Sequence, residues 1–201
     1  NEQNIPRKIR VLHCITSLDA DGAQHMLLKL CENISKSHFE FRVLNLREPT
    51  LFAKRFAELG VPVQHLNMRP AFPSLRALWR IRRAINDFRP DILQGWMYHG
   101  NFAAVAGKAI ASHKPIVAWN IRKAVSNIQE YRPLTRITLR IGAALSHRVK
   151  GVIYCGRYIA SQHSALGYCT TNQYVIANGF DTSFFRPSPE AARSIPVSRS
   201  R

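Results

Sequence analysis

The chain has 201 residues, 46% of them apolar, which suits one substantial core and leaves too little for two. Twenty-nine Lys and Arg against 12 Asp and Glu give a formal net charge of +17, a field that draws nucleic acid, anionic lipid or phosphorylated substrates. No apolar run approaches the roughly 18 residues of a membrane span and no secretory signal pattern is present. The cysteines, Cys14, Cys31, Cys155 and Cys169, lack CxxC spacing, so reduced, buried thiols on the cytosolic side of a membrane are expected.

After a polar leader, Ile9 to Ile15 reads as an apolar, β-branched strand and Thr16 to Gly22 as a turn. From Ala23, the residues Met26, Leu27, Leu30 and Ile34 recur at helical spacing, and Phe41 to Leu46 follows as a second strand. A helix over Leu51 to Leu59 closes at Gly60, Val61 to Leu66 is an edge-like strand, and a longer helix runs from about Ser74 to Phe88. Asp91 to Trp96 is a fourth strand, the Ala-rich Asn101 to Ala111 a helix, and Pro115 to Trp119 a fifth strand. Pro133 opens a helix whose Leu134, Ile137, Ile141 and Leu145 form an apolar stripe expected to face the core. Val152 to Cys155 is a sixth strand, and Arg157 to Leu166 a last helix ending near Gly167. Val175 and Ile176 make a short strand before Asn178-Gly179, a pair suited to positive φ, and Pro187 and Pro189 discourage further regular structure. The alternation predicts an α/β fold with a mainly parallel sheet flanked by helices.

In such a sheet, ligands bind beyond the carboxyl ends of the strands, which directs attention to the loops after Ile15, Trp96, Trp119 and Tyr154. Gly22 opens the first helix, where free N–H groups can hold a phosphate, although a capped turn explains the loop equally well. In Trp96-Met-Tyr-His-Gly-Asn101, the Tyr98 ring can cover sugar C–H surface while His99 and Asn101 supply directional hydrogen bonds; Trp96 and Met97 are as well explained by core packing. Arg122 can grip a hydroxyl, carboxylate or phosphate bidentately, or form a structural salt bridge. Gly156 reads as a helix-entry turn. Arg132, Arg136 and Arg140 form one cationic stripe and Arg76, Arg80 and Arg83 another, serving either as docking faces for anionic headgroups or a lipid-linked pyrophosphate, or as solvated surface. There is no P-loop, HExxH, GxSxG, zinc spacing or aromatic-rich nucleic-acid motif.

These segments resemble family 4 glycosyltransferases of the GT-B type. Trp96-Met-Tyr-His99 looks like the Trp-Met-Tyr-His motif of the subgroup that assembles bacterial surface polysaccharides, and Trp119-Asn-Ile-Arg122 is similar to Trp-Gly-Ile-Arg. Ala177-Asn-Gly-Phe-Asp181 resembles the Pro-Asn-Gly-Val/Phe-Asp sequence at the passage between domains, and Asp21-Gly-Ala-Gln24 partly matches a Gly-Gly-Ala-Glu loop; Asp21, Gln24, Asn120 and Ala177 are departures.

The resemblance implies that residues 1–187 are the N-terminal, acceptor-side Rossmann-like domain, that 188–201 are a linker or disordered tail, and that a donor-binding C-terminal domain is absent. It further implies a retaining hexosyltransferase-like enzyme moving a sugar from a nucleotide-sugar to a lipid-linked glycan or lipopolysaccharide-type precursor. No cofactor, metal or specific nucleic acid is expected, and the fragment alone should be inactive. His99 then supports the reacting centre, while Gly22, Tyr98, Asn101 and Arg122 bind substrate. The place of action implied is the cytoplasm, with peripheral attachment to an anionic membrane. Two rival readings are a basic nucleic-acid or anionic-membrane binding module and a self-sufficient Rossmann enzyme.

Overall fold

The computed structural model describes residues 7–68 and 74–183. Seven strands, β1 (Ile9–Ile15), β2 (Phe39–Asn45), β3 (Val63–His65), β4 (Ile92–Trp96), β5 (Ile116–Ile121), β6 (Gly151–Tyr154) and β7 (Gln173–Val175), form one sheet in the order β3-β2-β1-β4-β5-β6-β7. Every neighbouring pair is parallel. Six helices connect them: α1 (Gly22–Asn33), α2 (Ala53–Glu58), α3 (Leu75–Phe88), α4 (Met97–Ile110), α5 (Pro133–Ser146) and α6 (Arg157–Ala165). Strand order reverses at β1, which pairs with β2 on one side and β4 on the other, so the crevice of this Rossmann-like sheet opens beyond Ile15 and Trp96, which are register partners.

Both sheet faces carry helices, as a parallel sheet requires to exclude water. On one face Leu12, Cys14, Leu93, Val117, Trp119 and Val152 pack with Ile81, Ile85, Ala104, Ala143 and Ala160 from α3 to α6. On the other, Val11, Ile15, Phe41, Val43 and Trp96 meet Leu27, Leu28 and Cys31 of α1 and Phe56 of α2. All four cysteines are free thiols, three of them buried, and burial pushes the thiols of Cys14 and Cys31 up to about 12. Helix ends follow local chemistry. Ser74 caps α3 by accepting from the Ala77 amide at 3.2 Å, Pro133 occupies the first turn of α5, and Gly60 and Gly167 take left-handed φ after α2 and α6.

Three expectations need correction. Helix α4 begins at Met97, four residues before the expected Asn101, so no loop follows β4 and the whole Met97–Asn101 segment lies in the helix. Met97, at φ +58°, turns strand into helix in one residue. The Leu134, Ile137 and Ile141 stripe of α5 faces away from the core, because the buried side is the smaller set Leu139, Gly142, Ala143 and Ser146. Finally, neither Asn178 nor Gly179 takes positive φ. Their passage is held instead by Arg122, which donates to Asn178 Oδ1, and by Lys29 over the Phe180 ring at 5.2 Å. Phe184 to Pro187 and the Ser188–Arg201 tail lie outside the described residues.

Candidate functional site

The crevice is built by an unusually close approach of helix to strand. A Cβ at Gly100, in the first turns of α4, would come well inside 3.0 Å of the Cys14 carbonyl on β1, and one at Gly95 would overlap Asn101. Two missing side chains therefore seat α4 directly on β1 and β4. The Met97 thioether accepts from the Arg122 amide at 3.4 Å, tying this elbow to the end of β5.

His99 stands exposed in the first turn of α4. A cleft of about 230 Å³ opens there, lined by Thr16 after β1, Met97, Tyr98 and His99 of α4, Lys123 and Val125 after β5, Tyr131, and Thr135 and Leu139 of α5. None of these carries a carboxylate. The imidazole pKa lies below its ordinary value, first because surrounding protein strips water from it and then because the Arg47 guanidinium disfavours a second positive charge. The α4 N-terminus, positive by its aligned peptide dipoles, acts in the same direction. The setting of His99 thus favours the neutral imidazole, which can both donate and accept.

Tyr98 shares the cleft but uses its hydroxyl behind it. The phenol donates to His163 Nε2 at 3.0 Å, and the Nδ1–H of His163 donates to the Ile159 carbonyl at 2.8 Å. Burial raises the Tyr98 pKa and lowers that of His163, so this pair remains neutral. The ring of Tyr98 is the part offered to a ligand.

The remaining expected residues fall elsewhere on the rim. Gly22 opens α1 with nothing within 4 Å of where its Cβ would stand, leaving its backbone accessible. The Asp21 carboxylate makes no capping bond, while its carbonyl accepts from the His25 amide. Asn101 is 1% exposed, its amide lies against Gly95, and neither amide atom has a hydrogen-bond partner. Arg122 turns away from the cleft that Lys123 lines. It stacks over Trp96 at 5.2 Å and lines a separate cavity of about 960 Å³ with Gln94, Asn120, Ile176, Ala177 and Phe180. The structure thus gathers Tyr98 and His99 and sets Gly22, Asn101 and Arg122 apart from them. Lys123, Tyr131 and Thr135 complete the cleft without having been singled out. Lys123 adjoins the expected Arg122 in sequence, whereas Tyr131 and Thr135 arrive only through packing of α5.

A doubly wound parallel sheet with its crevice at a β1/β4 switch point belongs to a broad structural class. Within that class the Glycosyltransferase Family 4 model matches residues 20–184, and the chain belongs to that family. Solved structures share the fold. Anabaena HepE in complex with UDP has 16% identity and a TM-score of 0.74, over 90% of this chain and 47% of that one. The lipopolysaccharide outer core galactosyltransferase WaaB in its apo form has 11% identity and a TM-score of 0.62, over 86% and 46%. Sucrose-phosphate synthase from Thermosynechococcus elongatus has 11% identity and a TM-score of 0.65, over 96% and 54%. At such identities the likeness is one of fold, and the chain spans about half the length of these structures. No curated protein matches the chain. Among the described residues no helix is long and apolar enough to cross a membrane.

Proposed function

We propose that residues 1–187 are the N-terminal, acceptor-side half of a retaining GT-B glycosyltransferase. The full protein transfers a sugar from a nucleotide-sugar to a lipid-linked glycan or surface-polysaccharide precursor on the cytoplasmic side of the membrane. One observation carries this reading: an exposed His99 at the switch-point crevice, in a cleft lined by Lys123 and by no carboxylate, with Arg47 within electrostatic reach. A positive, carboxylate-free cleft suits a phosphate-bearing donor, and the family membership supplies the reaction class.

In this reaction the bond between anomeric carbon and phosphate oxygen breaks and the acceptor hydroxyl oxygen bonds to the same face of that carbon. The hydroxyl proton passes to the leaving phosphate, so no protein base is required. His99 orients the donor sugar, the Tyr98 ring covers its C–H surface, and Lys123 and Arg47 favour the charge that develops on phosphate. Gly22 admits phosphate at the α1 N-terminus and Arg122 contributes from the neighbouring cavity. Asn101 lies behind the cleft, packed against Gly95 beneath the α4 turn that carries His99. Closure of a donor-binding half over this wall excludes water and limits hydrolysis.

The test uses the full-length protein with mixtures of sugar nucleotides and lipid-linked acceptors. His99→Ala is expected to lower transfer by about 10²-fold or more with an unchanged melting temperature. Undiminished transfer in that variant rejects the assignment of His99.

A further inference from the structure

We infer that the outward face of α5 docks on an anionic phospholipid bilayer. The inference rests on the reading of the adjoining cleft as the place where a lipid-linked acceptor is used. Leu134, Ile137 and Ile141 are 71%, 51% and 48% exposed, all opposite the buried Leu139, Gly142, Ala143 and Ser146. Three large aliphatic side chains held toward water on one helix form a face that apolar material should cover. Thr135 and Leu139 of the same helix line the cleft, so α5 joins that cleft to the surface.

Charge selects the occupant. Residues 131–150 hold Arg132, Arg136, Arg140, Arg148 and Lys150 and no acidic residue, and Glu130 is the one acid in the sequence between Asp91 and Asp181. The guanidinium of Arg136 folds back onto the Tyr131 and Gln129 carbonyls, at 2.7 and 2.8 Å, whereas Arg132, Arg140 and Arg148 are exposed around the aliphatic face. Apolar residues ringed by cations match a bilayer with anionic headgroups. A second copy would bring two positively charged faces together, and nucleic acid would leave the aliphatic side chains without a partner.

Helix α3 repeats the pattern in the same layer, with α4 packed between it and α5. Leu75 is 85% and Trp79 58% exposed, and the Arg83 guanidinium lies 5.5 Å from the Trp79 ring. In an all-parallel sheet each connecting helix runs back from the carboxyl ends of the strands, so the first turns of α3 and α5 both lie toward the rim that bears the cleft. Tryptophan with flanking arginine is a pairing suited to the headgroup level. Docking there brings the cleft close to a lipid-anchored substrate.

Sedimentation of the full-length protein with vesicles of phosphatidylglycerol and phosphatidylcholine, against phosphatidylcholine alone, tests the proposal. Binding is expected only to the anionic vesicles. I137S/I141S should weaken it tenfold or more, and R132E/R140E should do the same, with melting temperatures unchanged. Equal binding by I137S/I141S, absence of binding to anionic vesicles, or conversion of a wild-type dimer to a monomer by I137S/I141S overturns it. Transfer to a water-soluble short-chain acceptor separates the two readings. I137S/I141S should leave it unchanged, while His99→Ala should abolish it without altering sedimentation.

Discussion

Gly100→Ala is expected to destabilise the protein by about 3 kcal/mol or more, lowering the melting temperature by roughly 10 °C. The added methyl would sit well inside 3.0 Å of the Cys14 carbonyl and also crowd the backbone of Ile15. Neither obstacle can swing aside: Cys14 and Ile15 are hydrogen-bonded in β1 between β2 and β4, with both faces buried. Relief requires lifting the first turns of α4 from the sheet, which opens the packing of Ala103 and Ala104 as well. Gly156→Ala is the control, since nothing lies within 4 Å of that position and its φ of −170° suits any residue. Its stability should change by no more than about 0.5 kcal/mol. Matched denaturation curves for the two variants would reject this account of the crevice.

Stability should also fall steeply as acid is added, beginning near pH 6.5. His13 is fully buried between Phe41 and Trp96, and its Nδ1 accepts from the Trp96 indole N–H at 3.2 Å. Burial, partly offset by Gln94 on the adjoining strand, pushes its pKa down to about 3. The unfolded chain takes up this proton below pH 6.5 while the folded chain refuses it until about pH 3. The stabilising contribution is therefore complete above pH 6.5 and lost progressively across that interval. A depression of this size corresponds to about 5 kcal/mol, comparable with the whole stability of many domains. His163, buried and also lowered, adds in the same direction. Denaturant titrations from pH 7.5 to 4 measure the slope, and His13→Asn should flatten it while costing stability at neutral pH. An equal slope in that variant would show that His13 is not its source.

The order of strands and helices was legible because apolar, β-branched runs such as Ile9–Ile15 and Gly151–Tyr154 alternate with amphipathic segments. Gly60 and Gly167 marked helix ends for the reason glycine usually does. The start of α4 was hidden because left-handed φ at that junction falls on Met97, a residue no turn signal picks out. The orientation of α5 was hidden for a different reason. Bulky aliphatics normally mark the inward side, but the inward side of α5 carries Leu139 with the small Gly142, Ala143 and Ser146, Gly142 lying against the Tyr168 phenol, and Leu134, Ile137 and Ile141 are left outside. His99 could be singled out by its position after a strand, whereas its cleft partners depend on contacts between segments far apart in the chain.

The one-residue bend at Met97 also bears on how the crevice can respond to what enters it. A side chain carried on a flexible connection can be re-aimed by a ligand, but His99 rides on a helix clamped to two strands through Gly95 and Gly100. Its aim is set when the protein folds, before any substrate arrives. Accommodation to differently shaped ligands therefore falls to the irregular stretches around it, between β1 and α1 and between β5 and α5. Exchanging those stretches should retune selectivity while the imidazole stays fixed as the common reference point.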